Sequence, residues 1–194
     1  MNKRKPLRTG AAFFLCLAAA CGMMKKNPSG AARHRPLGRG GKEEWIREVR
    51  QMKTIAVITG ASSGMGRRFA ETVKEWGSVD EVWAIARRAD RLEELKETVP
   101  VPVRPVALDL TDRASFEAYA ALLKEEQPQV ALLVNASGFG KFAAAMDTPL
   151  EVNLNIVDLN CQALMAMCQL TVPYMSEGSR IINIASVAAD QPIP

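Results

Sequence analysis

Two short runs, Ile55-Ala56-Val57-Ile58 and Ala131-Leu132-Leu133-Val134, are apolar on consecutive residues. A strand with one wet face alternates apolar and polar side chains, so a strand that does not alternate must be covered on both faces. That demand excludes an open antiparallel sheet and asks for a parallel one with helices on either side. The chain supplies the required rhythm. Strand-forming runs at Thr54–Thr59, Val82–Ala86, Val103–Leu108, Val130–Asn135 and Arg180–Ile184 are separated by helical stretches at Gly64–Trp76, Asp90–Glu97, Ser115–Glu126 and about Leu150–Met175. The predicted fold is α/β, a doubly wound parallel sheet of Rossmann type with strand order 3-2-1-4-5.

The first strand runs into Thr59-Gly60-Ala61-Ser62-Ser63-Gly64-Met65-Gly66 and then into a helix. Glycines between a strand and a helix let backbone N–H groups approach a pyrophosphate at the helix N-terminus, where the helix dipole also favours an anion. A tight turn that uses its glycines only for backbone conformation is the competing reading of the turn by itself. In dinucleotide folds an acidic residue about 20 positions on, at the end of the second strand, takes the ribose 2′-hydroxyl of NAD. Here Ala86 holds that place and Arg87 and Arg88 follow it. A guanidinium fork suits a 2′-phosphate, so NADP(H) is expected over NAD(H), with Arg87 as the leading contact and Arg88 beside it.

The spacing T-G-x-x-x-G-x-G resembles that of classical short-chain dehydrogenases/reductases, and the resemblance runs over Met52–Pro194. It implies that Gly60, Ser62, Ser63, Gly64, Met65 and Gly66 surround the cofactor and that Asp109 and Leu110 meet the adenine ring. It also implies that Asn135, Ala136, Ser137 and Gly138 stand where the family usually has Asn-Asn-Ala-Gly, with Ala136 and Ser137 departing from that pattern. Asn160 aligns with the asparagine that holds a water in the family's proton relay, and Ser186 with the serine that bonds the substrate oxygen. The implied reaction interconverts a carbonyl and an alcohol of a small molecule by hydride transfer. The family's Tyr-x-x-x-Lys pair is expected a dozen or more residues after the serine, whereas eight residues follow Ser186, and Tyr174 has Gly178 where a lysine is required. The expectation is therefore a Rossmann-type domain incomplete at its C-terminus, inactive as a fragment, with one sheet edge uncovered and a homo-oligomeric full-length parent. The alternative is a non-catalytic NADP(H)-binding protein or redox sensor.

Charge and composition matter chiefly for the two halves of the chain. The net charge of +4 invites a nucleic-acid reading, but residues 1–51 hold 12 Lys/Arg against 3 Asp/Glu and residues 52–194 hold 13 against 18. An acidic body offers no footprint for phosphate backbones, so no nucleic-acid partner is expected. Residues 1–51 read as a largely unstructured leader or upstream extension, and 52–194 as the nucleotide-binding domain. The basic start and the apolar run Ala11–Cys21 have the layout of a secretory signal, ending in the lipoprotein-like Ala18-Ala19-Ala20-Cys21. That run is too short to span a bilayer. With Met52 as the start the protein is cytoplasmic, and with a genuine leader it is an exported lipoprotein. Cys16, Cys21, Cys161, Cys168 and the single His34 show no ligand spacing, so no metal is expected, and Cys161 and Cys168 read as buried free thiols.

Overall fold

The five strands pair in parallel in the order β3-β2-β1-β4-β5, with β1 at Thr54–Thr59, β2 at Glu81–Ala86, β3 at Val103–Ala107, β4 at Gln129–Asn135 and β5 at Arg180–Asn183. The structure is a computed structural model that describes residues 52–141, 143 and 145–186. The leader with its signal-like run, its two cysteines and His34 lies outside the described residues, as does 187–194. The chain divides into two units, and of the described residues all but Ser186 belong to one of them.

Side chains of β1 alternate between two cores, which is why its residues are apolar throughout. Ala56 and Ile58 pack with Ala70, Val73, Leu92 and Leu95 on one face. Ile55 and Val57 pack with Tyr119, Leu123, Met167 and Cys168 on the other. Helices α1 (Gly64–Glu71), α2 (Ala89–Glu93) and α3 (Leu95–Thr98) supply the first face. The second is covered by α4 (Arg113–Glu126) and by the long helical stretch from Leu159 to Thr171. The central strands are buried along nearly their whole length, while edge strand β5 is exposed at three of its four residues. A shift in the β1–β4 register takes Ile55 opposite Val130 and Ala56 opposite Leu132, so Ala131 is bulged out. The extra residue lets Val130 and Leu133, three apart, enter the same core.

All four helical stretches differ from the predicted ones. The first helix stops at Glu71, where the Thr72 hydroxyl (2.9 Å) shares the Arg68 carbonyl with the ordinary helical bond from its own N–H (3.0 Å), and a three-residue 3₁₀ turn, Val73–Glu75, follows. The second is broken at Glu94 into α2 and α3 and ends at Val99, which is extended as the residue before a proline must be. The long helix is interrupted by a stretch of π-helix at Asp158–Ala163 between α5 (Leu150–Val157) and α6 (Leu164–Thr171). Helix α4 starts one turn-residue pair earlier than read, with Asp112 as its N-cap accepting from the Ala114 N–H at 3.0 Å. The reading of both body cysteines as buried is corrected: Cys168 is buried, but Cys161 is exposed, on the side of the helix turned from the sheet. Among the described residues no helix is long and apolar enough to cross a membrane, and no cluster of His, Cys, Asp or Glu is placed to hold a metal.

One buried polar pair ties α4 to α6 across the second core. Thr171 donates its hydroxyl to the Met167 carbonyl at 2.6 Å, so Tyr119 donates to Thr171 Oγ1 at 2.9 Å. Burial holds the Tyr119 phenol far above its ordinary range, which keeps it a neutral donor. Tyr119→Phe removes the donor and leaves Thr171 with its other bond intact. The expected loss is about 1 kcal/mol, read as a lower urea midpoint at unchanged m-value.

Candidate functional site

The carboxyl ends of the strands carry almost all the residues singled out by sequence. Gly60 and Gly64 adopt positive φ (+66° and +56°), which turns the chain from β1 into α1. The three glycines of the turn serve different ends. A Cβ on Gly60 would lie 2.6 Å from the Ala136 carbonyl oxygen, and one on Gly66 would lie 2.4 Å from the carbonyl oxygen of Gly60. Both are therefore points where backbone meets backbone. A Cβ on Gly64 meets nothing within 4 Å, so its side of the turn is open. Ser63, the N-cap of α1, makes no side-chain capping bond, and the first turn has no acidic residue. The first N–H groups of α1 thus keep the donor capacity and positive dipole end that suit an anion.

Thr59 explains how the turn is held against the next strand, and sequence reading passed it over as the first letter of the motif. It is 1% exposed, and its hydroxyl oxygen accepts from the backbone N–H groups of both Ala136 and Ser137 at 3.1 Å. One side chain therefore fixes the loop that leaves β4 against the loop that leaves β1. Gly138 continues that loop, and Phe139 after it is clamped by Asn160, which accepts from the Phe139 N–H (3.0 Å) and donates to its carbonyl (2.8 Å). Asn160 lies in the π-helical stretch, where the wider turn brings its carboxamide over the loop. Asn135, at the end of β4, is buried and donates to Asn183 Oδ1 (2.9 Å) and Cys168 Sγ (3.3 Å). Burial pushes the Cys168 thiol up despite the bonds to the two asparagines, so it stays neutral. Ser186 follows β5 and is exposed.

On the other side of β1 the two arginines are arranged differently from each other. Arg88 reaches back to the glycine-rich turn, its Nη2 3.2 Å from Ser62 Oγ and 3.3 Å from Ser63 Oγ. Arg87 extends toward Asp109 at 3.9 Å, an exposed and weak pair. Asp109 accepts from the Thr111 N–H (3.0 Å) and hydroxyl (2.8 Å). Partial burial pushes its carboxyl up, but the two bonds from Thr111 and the Arg87 charge outweigh this and hold it below the ordinary carboxylate range. Thr111 is a second residue that the motif reading missed; the spacing Asp-x-Thr was its signal. Leu110 is buried, whereas Met65 stands exposed on the first turn of α1. The arrangement thus offers an anion cradle at the turn, a guanidinium with two hydroxyls beside it, an ionised carboxylate over β3, and a braced loop over β4.

A family model for short chain dehydrogenases matches residues 54–194. An uncharacterized oxidoreductase of Staphylococcus epidermidis is 27% identical over 140 residues, covering 71% of this chain and 60% of that one. Sulfoacetaldehyde reductase of Chromohalobacter salexigens is 32% identical over 152 residues, covering 74% of this chain and 58% of its own. A serine dehydrogenase solved in complex with NADP+ superposes with a TM-score of 0.63 at 31% identity, over 72% of this chain and 56% of that one. The chain spans about 60% or less of the length of these relatives.

Two outcomes follow from the geometry of the site. Gly60→Ala and Gly66→Ala, whose methyl groups would press on backbone, should each lower the melting temperature more than Gly64→Ala, which faces open space and bears only the left-handed penalty of about 1–2 kcal/mol; thermal unfolding of the three variants gives the order. Asp109 has a folded-state pKa below its unfolded value, so its stabilising contribution is present above about pH 4 and is lost as pH falls through the folded pKa. Asp109→Asn should be less stable than the native chain at pH 7, with the gap closing as pH falls below about 4, as read by urea unfolding across pH.

Proposed function

The chain belongs to the short-chain dehydrogenase/reductase family, and from that premise we propose that it holds NADP(H) for the interconversion of a carbonyl and an alcohol. The observation that carries the cofactor reading is the Arg88 guanidinium lying within hydrogen-bond reach of both Ser62 and Ser63 at the edge of the open turn. A cation and two hydroxyls converging at the end of β2 match a dianionic 2′-phosphate and would leave a bare ribose hydroxyl underused. Arg88 takes the leading role in this reading and Arg87, drawn toward Asp109, the supporting one. The serine dehydrogenase solved with NADP+ supports the same direction, although another relative, from Listeria innocua, is an NAD-dependent glycerol dehydrogenase.

The remaining roles follow the strand order. The first N–H groups of α1, around Gly64, Met65 and Gly66, receive the pyrophosphate across the open side of Gly64. Asp109, ionised and held by Thr111, accepts from the adenine amine while Leu110 packs beside it. Asn135, Ala136, Ser137 and Gly138 form the floor for the second ribose, kept in place by Thr59. When bound, NADP(H) supplies or receives the hydride. The Ser186 hydroxyl bonds the substrate oxygen and orients its carbon. Asn160 has both ends of its carboxamide committed to Phe139, so its part in a proton relay falls to the backbone of the π-helical stretch, where the wider turn alters the carbonyl pairing.

Other parts of the reading concern the whole protein: a small-molecule substrate, a cytoplasmic location, and self-association through the apolar residues that α5 and α6 leave exposed, Leu150, Leu154, Val157 and Met165. The direct test is binding. The 194-residue chain should bind NADPH in preference to NADH by fluorescence titration, and Arg88→Ala should remove about tenfold or more of that preference while changing NADH affinity little. Equal affinity of the native chain for the two nucleotides would overturn the NADP(H) assignment.

A further inference from the structure

One buried polar group at the site does more than the cofactor reading requires of it. Asn135 is 4% exposed and sits at the end of β4 next to Leu133 and Val134, both fully buried. An apolar side chain would fill that place at lower cost, because a buried carboxamide must have every hydrogen bond met and Asn135 Oδ1 has no partner among the described residues. What the carboxamide gains is direction. Its Nδ2 donates to Asn183 Oδ1 on β5 (2.9 Å) and to Cys168 Sγ on α6 (3.3 Å). Cys168 Sγ lies in turn 3.9 Å from Asn183 Oδ1. Asn135 and Asn183 are register partners on parallel strands, so their side chains leave the sheet on the same face, and the Ile184 N–H closes the pair by donating to the Asn135 carbonyl at 3.0 Å. Two strand ends and one helix are thereby tied at a single point.

The location of that point gives it meaning. In a sheet ordered β3-β2-β1-β4-β5 a dinucleotide crosses the switch point between β1 and β4, with its adenylate half toward β2 and β3 and its other half over β4 and β5. The loop that leaves β4 is already fixed against β1 by Thr59 and against the π-helical stretch by Asn160. Beside the β4–β5 backbone ladder, the side-chain tie through Asn135 holds the root of that loop against β5. We infer that Asn183 and Cys168 are positioning residues, acting through Asn135 to hold the ends of β4 and β5 at the spacing that receives the nicotinamide-ribose half of the dinucleotide. This rests on the NADP(H) reading for the identity of the ligand, but not for the tie itself.

The experiment compares the native 194-residue chain with Asn183→Ala, Cys168→Ala and Cys168→Ser, using NADPH and adenosine 2′,5′-bisphosphate as probes in calorimetric titration. Asn183→Ala and Cys168→Ala should weaken NADPH about tenfold while moving the bisphosphate, which lacks the nicotinamide half, by less than about twofold. Cys168→Ser keeps a group that accepts from Asn135 and should stay near the native affinity. Equal weakening of both ligands, or no weakening of either, overturns the inference. Amide hydrogen exchange supplies a readout independent of any ligand: the two alanine variants should speed exchange across Ala136–Phe139 and Ile184–Ala185 together and spare Gly60–Gly66. Uniform acceleration over the whole sheet overturns it. If the native chain binds neither probe, the NADP(H) reading falls, and the exchange pattern still decides the positioning roles. If Asn183→Ala does not fold, the contrast between Cys168→Ala and Cys168→Ser carries the test.

Discussion

The approach of the β1 turn to the β4 loop governs everything else at the carboxyl edge of the sheet. Backbone meets backbone at distances that no Cβ survives, between turn and loop on Gly60 toward Ala136 and within the turn itself on Gly66 toward Gly60. Thr59 then converts proximity into a defined geometry by accepting from two successive N–H groups. Because α1 springs from the same turn, the direction of its first N–H groups is set by the same packing. The anion cradle is therefore a by-product of the closeness of two strands, and its precision comes from glycine's lack of a side chain more than from any attractive contact.

The site divides at β1 into two halves with different physics. Toward β2 and β3 the groups are charged, exposed and loosely paired: Arg87 with Asp109, Arg88 with two hydroxyls. Their interactions are screened by solvent, so each side chain can exchange one partner for another at little cost. Toward β4 and β5 the groups are neutral and tied to one another or to backbone, Thr59, Asn135 and Cys168 in the interior and Asn160 at the surface. One half offers charge that can be redirected. The other offers shape that cannot.

Strands and sheet order were legible because burial on both faces leaves an uninterrupted apolar run, and the glycine turn was legible because backbone contact tolerates nothing larger. Helix ends were read less well. Thr72 competes for a carbonyl that propensity assigns to the helix, and the π-helical stretch at Asp158–Ala163 has no signature in apolar periodicity. Side-chain pairings across long separations were invisible for the same reason that strand order was visible: the pattern records which face is buried, not which polar atom finds which. Thr59 with Ala136, Asn135 with Cys168, and the division of labour between Arg87 and Arg88 belong to that class. Cys161 was misread because a cysteine in a helix looks buried until the phase of the helix against the sheet is known.

The pairing of β1 with β4 joins residues about 75 positions apart, Thr54 with Gln129 and Thr59 with Asn135, while the pairing of β1 with β2 spans roughly a third of that. Contacts closed across so long a loop are formed late, since the chain entropy of closure must be met before they contribute. The β1–α1–β2 segment can therefore acquire its turn early in folding, yet that turn has its final shape only once β4 arrives beside it. A chain in which β4 has not yet paired therefore presents the arginines and hydroxyls without the braced turn beside them. Under the proposed NADP(H) reading, a nucleotide added during refolding favours the completed sheet over any state that precedes it.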